Sequence, residues 1–197
     1  MNADRVRSLT DGVYAIAMTI LVLNFSVPQV PERVGPLLGA LAKMWPEFAH
    51  YVLSFMLLGI FWTIHHRQFH YIERTDSRLL WINLFVLMFI VLIPFSTSVS
   101  GEYQGVWPGP VLFDLNILIV GVLKLLTWTY ATKNNLVTDR LSARERRSGK
   151  YKSMVTPSVA FAAIAVAFIN PYWSTSTFLL IPILVPRVGA HIERLED

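Results

Sequence analysis

Apolar residues along this chain fall into six long runs, not into short alternating patches. The runs lie at about 8–27, 46–65, 79–99, 110–132, 152–169 and 172–189. A helix needs about 20 mostly apolar residues to cross roughly 30 Å of hydrocarbon, so this pattern predicts six membrane-spanning helices. The first run is the most polar and the last two are short. Asn170-Pro171 marks a tight turn between those two, predicting a helical hairpin. Pro31, Pro36 and Pro46 punctuate the first connection, and "GEYQGVWPGP" (101–110) is a turn-rich second one. The fold class that follows is an all-α integral membrane protein, one transmembrane domain over 1–197. The six runs do not divide into two similar halves, as the halves of a duplicated carrier often do.

The polar positions between the runs set the direction of the chain. Two Lys or Arg precede the first run, three lie in 66–78, seven in 133–152 and two in the C-terminal tail, which makes fourteen of the seventeen. The other side holds Arg33 and Lys43, and Lys124 sits inside the fourth run. Basic loops stay cytoplasmic, so both termini and the three basic segments are expected on the cytoplasmic side. The net charge of +4 is then mostly topology. The basic loop 133–151, within "KNNLVTDRLSARERRSGKYK", reads as a solvated segment near anionic lipid headgroups. It is too short for a folded nucleic-acid module, and no nucleic-acid partner is expected.

Composition agrees: the chain is 54% hydrophobic and 15% charged, where soluble domains carry about 25% charged residues. Cysteine is absent, which removes disulfides and thiol chemistry. Arg5 and Arg7 before a short apolar run imitate a signal peptide. Asp11 in the first turn, and no pair of small residues around Asn24–Pro28, make it a retained helix instead.

At about 100° per residue, Ile16, Thr19, Ile20 and Leu23 share one stripe of the first helix, and Gly12 and Arg5 extend it. Such a stripe is usually core packing, and spacing alone does not make it the lining of a pore. Asp11 projects about 130° from the stripe, which directs it back into the subunit. An ionisable group in a span pairs inside the protein. Arg7, four residues earlier, and His65, His66 and Arg67 at the end of the second span are the partners at its depth. Asp11 is therefore expected to tether the first helix to its neighbours.

The stretch Arg5 to Gly12, with Ser8, Leu9, Thr10 and Asp11, resembles the Arg-x-x-x-Phe-Ser-Asp signature of the transmembrane protein 175 family. Leu9 and Thr10 replace its Phe and Ser. The likeness continues through "VYAIAMTILVL", through "SFMLLGIFWTIHHRQF" (54–69) with Trp62, His65 and His66, and through 79–102 with Asn83, Leu84, Pro94, Phe95 and Thr97. Members are endolysosomal potassium channels of animals and their prokaryotic relatives. The resemblance implies a single six-helix unit, a homotetramer and a central pore lined by the first helix. It implies apolar constriction rings at Ile16, Ile20 and Leu23, with a hydroxyl ring from Thr19. Arg5, Arg7, Ser8, Asp11, Trp62, His65, His66 and Asn83 fall on its structural signature. It further implies permeant potassium and other monovalent cations, a prokaryotic cell membrane, and no cofactor.

Other signals carry less. "HHRQFH" (65–70) has a histidine-box look, but five histidines are too few for a membrane di-iron centre; His66 and His70 alone stand at metal-pairing spacing. Asn83 is expected to bond across helices and Pro94 to kink the third span. Asp114, near the outer end of the fourth span, is expected to reach water; Lys124 lies deeper and either snorkels or pairs. Alanines at 160, 162, 163, 165 and 167 suit close helix packing. No nucleophile–base pair or metal set appears, so no enzyme is expected. The alternative to a channel is a proton-coupled secondary transporter using Lys124 and Asp114. A carrier favours broken helices, and the first helix has no Pro or Gly between Val13 and Pro28.

Overall fold

The computed structural model describes residues 3–31 and 33–195 and is helical almost throughout. α1 runs Ala3–Ile20 and continues as a 3₁₀ turn over Leu21–Asn24; α2 is Val34–Lys43 and α3 is Trp45–Tyr71. α4 (Ser77–Val91) and α5 (Ile93–Glu102) form one bent span, followed by α6 (Pro108–Lys133) and α7 (Ala143–Ile169). Five stretches are long and apolar enough to cross a membrane: Arg5–Asn24, Trp45–Tyr71, Ser77–Glu102, Pro108–Lys133 and Ala143–Ile169. The sixth predicted run is broken into α8 (Pro171–Ser174), a 3₁₀ stretch Thr175–Leu180 and α9 (Ile181–Leu195).

Each break has a local cause. Pro94 has no N–H for the carbonyl four residues back, and the ladder restarts after Leu92. The first helix turns extended at Phe25, earlier than the run to residue 27 predicts. Val27 precedes Pro28 and is thereby pushed out of the helical region. Asn170 ends α7, and its side chain accepts from the Tyr172 amide at 3.2 Å, starting the expected hairpin.

α6 is the centre of the bundle, packed on α4, α5 and α7. It meets α7 closely because the contact residues are small. A methyl group at Gly121 would lie 2.9 Å from Pro157, and one at Gly149 would lie 2.6 Å from the Trp128 ring. Ala160, Ala163 and Ala167 of α7 are all fully buried. In hydrocarbon, where lipid is as apolar as leucine, such close backbone approach is what gives helices attraction for each other.

Two expectations for the connections change. The basic segment after α6 is a loop only as far as Ser142, because Ser142 and Glu145 form a capping box that starts α7 at Ala143. The Ser-x-x-Glu spacing was there to be read. The first connection contains α2, every described residue of which is exposed or partly exposed. Pro36 fits there because the first turn of a helix has no use for its N–H.

All the basic segments meet at one end. The Arg7 guanidinium donates to the carbonyls of Phe69 and Ile72 at the end of α3, where unpaired carbonyls favour a cation. The Thr138 amide donates to Tyr71 at 2.8 Å, and the Arg74 amide donates to Leu136 at 3.1 Å. Lys152 near the start of α7 lies against Gly189 of α9. Asp76 caps α4, accepting from the Leu79 amide at 2.8 Å and the Tyr130 hydroxyl at 2.6 Å. Desolvation pushes the Asp76 carboxyl up, yet these two bonds and the Arg78 charge outweigh it and hold it below its ordinary value.

Candidate functional site: an apolar stripe backed by a polar seam

α1 presents two unlike faces. Ile16, Thr19, Ile20 and Leu23 are all exposed on the protomer, Leu23 at 75%. Thr19 donates its hydroxyl proton to the Ile16 carbonyl at 2.8 Å. That bond uses the donor and leaves the oxygen lone pairs facing outward. Arg5, Ser8 and Gly12 are exposed on the same side.

The opposite face is a buried seam of Val6, Thr10, Tyr14, Ala17 and Leu21. These residues recur at spacings of three and four, one helical face. Thr10 is fully buried and its hydroxyl accepts from the Asn83 amide of α4 at 3.2 Å. Tyr14 lies against His65, ring centroids 6.4 Å apart, and His65 stacks on Phe69 at 4.2 Å. The Lys124 Nζ of α6 sits 5.4 Å from the Tyr14 ring centroid. Gln68 bonds the Lys124 carbonyl and the Ser153 hydroxyl, each at 3.2 Å. The Tyr14 hydroxyl, His65 Nε2 and Lys124 Nζ are buried without a hydrogen-bond partner. The Lys124 amino group is thus held by ring contact alone among the described residues.

The structure moves three expectations. Asp11 does not turn into the interior; it is exposed at the edge of the helix, because Thr10 and Tyr14 occupy the buried face. It still acts as a tether, and its partner is the Trp62 indole, which donates at 2.8 Å. Asp114 does not reach water. It is fully buried and takes a hydrogen bond from Ser174, since α8 folds back over this end of α6. Lys124 does not snorkel; it is 3% exposed.

The remaining positions divide between the two sides of the tether. His66 is exposed with its ring 5.7 Å from Trp62, on the Asp11 side. His65 is interior, beside Tyr14. Asn116 bonds Ser96 at 3.1 Å inside the bundle. Among the described residues, no three His, Asp or Glu side chains are grouped to hold a metal. Sequence reasoning met Thr10 only as a replacement within the signature and did not single out Tyr14 or Gln68. The signal for the first two was their helical register with Ala17 and Leu21; nothing in the sequence marks Gln68.

Residues 5–94 match the family described as endosomal/lysosomal potassium channel TMEM175. A potassium channel of Streptomyces collinus is 43% identical over 174 residues, covering 86% of this chain and 84% of that one. A potassium channel of Chamaesiphon minutus is 30% identical over 185 residues, 91% of each. The crystal structure of a lysosomal potassium-selective channel TMEM175 homolog from Chamaesiphon minutus matches with a TM-score of 0.82 at 25% identity. That match covers 95% of this chain and 98% of the other.

Proposed function

Because the chain belongs to the TMEM175 family, we propose that it is a potassium-permeable cation channel of a prokaryotic cell membrane, and not an enzyme. Four copies, each crossing the membrane six times with both termini cytoplasmic, surround a pore lined by α1. Ile16, Ile20 and Leu23 supply the apolar rings, and Thr19 supplies a ring of hydroxyl oxygens. The observation that carries this reading is the exposure of that apolar stripe on a helix whose opposite face is packed and hydrogen-bonded.

The mechanism follows from hydration. A narrow apolar ring dewets and closes, or passes an ion that sheds part of its water. Sodium holds its water more tightly than potassium, so partial stripping favours potassium, and the selectivity is weak. The outward lone pairs of Thr19 replace some of the lost water. Arg7, Asp11, Trp62 and Asn83 do not touch the ion; they fix the angle at which α1 presents its stripe.

A proton-coupled carrier is the competing reading, and the burial of Lys124 and Asp114 is what favours it. Such a carrier has to expose those groups to each side in turn, whereas α1 is unbroken from Ala3 to Ile20. Purified protein in liposomes, with potassium and sodium on opposite sides, separates the two. A passive, potassium-favouring current whose selectivity falls in Ile16→Asn and Ile20→Asn supports the pore. Unchanged currents from both variants would make the stripe packing, and uptake only under a proton gradient would make the protein a carrier.

A further inference from the structure

The outermost ring of the proposed pore has a different backing from the other two. Behind Ile16 and Ile20 the helix is closed by Tyr14, Ala17 and Leu21, all buried. From Leu21 to Asn24 the regular ladder gives way to a 3₁₀ turn, whose hydrogen bonds have poorer geometry. Leu21 is the one buried residue of that turn. Behind it lies a cavity of about 340 Å³, with Leu21, Asn24 and Phe25 on one wall and Thr97, Ser98 and Gly101 of α5 on another. A methyl group built at Gly101 would meet nothing within 4 Å, so that wall borders open space.

Packing therefore leaves the tip room to move, and the side chains at its end set where it stands. On the α3 side, the Phe25 ring rests against Tyr51, centroids 5.3 Å apart. On the α5 side, the Asn24 side-chain amide donates to the Pro94 carbonyl at 2.8 Å. A carbonyl only accepts, so the amide nitrogen is the end that meets it. Asn24 is itself exposed and adds little packing, so this bond is its means of holding the tip.

We propose that Asn24 is a positioning residue for ion selection: its amide holds the Leu23 ring at a fixed width against the cavity behind it. The inference rests on the pore reading and deepens it. Freed of the bond, the tip settles back towards the cavity, the Leu23 ring widens, and an ion passes there with more of its water. Discrimination of potassium from sodium then falls although no residue of the stripe has changed.

The purified full chain in liposomes, with potassium and sodium on opposite sides, gives the permeability ratio from the reversal potential. Asn24→Leu keeps the size of the side chain and removes the donor. It is expected to lower the ratio by about threefold, the scale of one net hydrogen bond. Leu23→Ala lowers the ratio by itself, and Asn24→Leu adds nothing to that loss, because the amide acts through that ring. Gly101→Leu fills the cavity from the opposite wall and restores the ratio in the Asn24→Leu background. Asn24→Ala carries the test if the leucine variant does not fold. If Ile16→Asn or Ile20→Asn changes the ratio and both Asn24 variants leave it alone, the pore stands and this inference is overturned. Additive losses in Leu23→Ala/Asn24→Leu, or a ratio that stays low with the cavity filled, overturn it as well. An unchanged ratio in every variant, Ile16→Asn and Ile20→Asn included, removes the pore reading and this inference with it.

Discussion

Tyr14 and Ile16 stand two residues apart on the same helix, yet the phenol is 1% exposed and the aliphatic chain 58%. In a soluble protein the isoleucine would be inside. Here the inward face of α1 carries the Thr10 hydroxyl, which meets Asn83, and the Tyr14 ring, which meets His65 and Lys124, and the outward face carries hydrocarbon. Against lipid, apolar side chains gain nothing by turning inward, so packing shape and polar contacts between helices choose the buried face. Specific angular placement therefore resides in the seam, and the proposed ion-handling resides in residues that hold nothing together.

That division is easiest to break from the back. Tyr14→Ala empties a fully buried aromatic site and is expected to cost about 3–5 kcal/mol. Ile16→Ala is expected to change protomer stability by less than about 0.5 kcal/mol. Unfolding midpoints in detergent measure both, and equal losses would place Ile16 in a packed interface. Lys124→Met removes a buried amino group that has only ring contact and no hydrogen-bond partner, and is expected to stabilise by about 1–3 kcal/mol. A lowered midpoint would show that the Lys124 side chain holds Tyr14 in place more strongly than its burial costs. Thr10→Val leaves the Asn83 amide unpaired, at about 1–3 kcal/mol, and lets α1 rotate. It should shift potassium-over-sodium permeability without touching the stripe, and flux in liposomes checks this.

The smallest effect lies off both faces and calibrates the others. Asp76 is held below its ordinary carboxylate value, so its contribution is present above the unfolded-state value and fades as pH falls through the folded one. Asp76→Asn should flatten that acid limb of the stability profile while leaving ion flux unchanged. An unaltered acid limb would mean that another carboxylate governs it.

Five of the six predicted spans and the shared basic end were legible because a run of about 20 apolar residues between charged segments has few other uses. The stripe of α1 was legible as a stripe, since 100° per residue is independent of context. Its burial was not: periodicity orders residues around a helix without saying which side is in. Asp11 shows the cost, being placed at the right angle to the stripe and on the wrong side of the surface. α2 escaped because its glycines and proline read as loop, and Asp114 because its cover comes from Ser174, sixty residues away.

The 3₁₀ turn that finishes the first helix gives it uneven stiffness. Ile16 and Ile20 ride on a regular α-helical ladder, while Leu23 rides on tighter turns with poorer hydrogen bonds. The Asn24 amide pins that tip to the Pro94 carbonyl at 2.8 Å, at the bend where α4 passes into α5. The first helix is a rigid beam with a flexure at its far end, anchored to a joint in another span. Of the three apolar stripe residues, Leu23 is the one next to that joint in the chain.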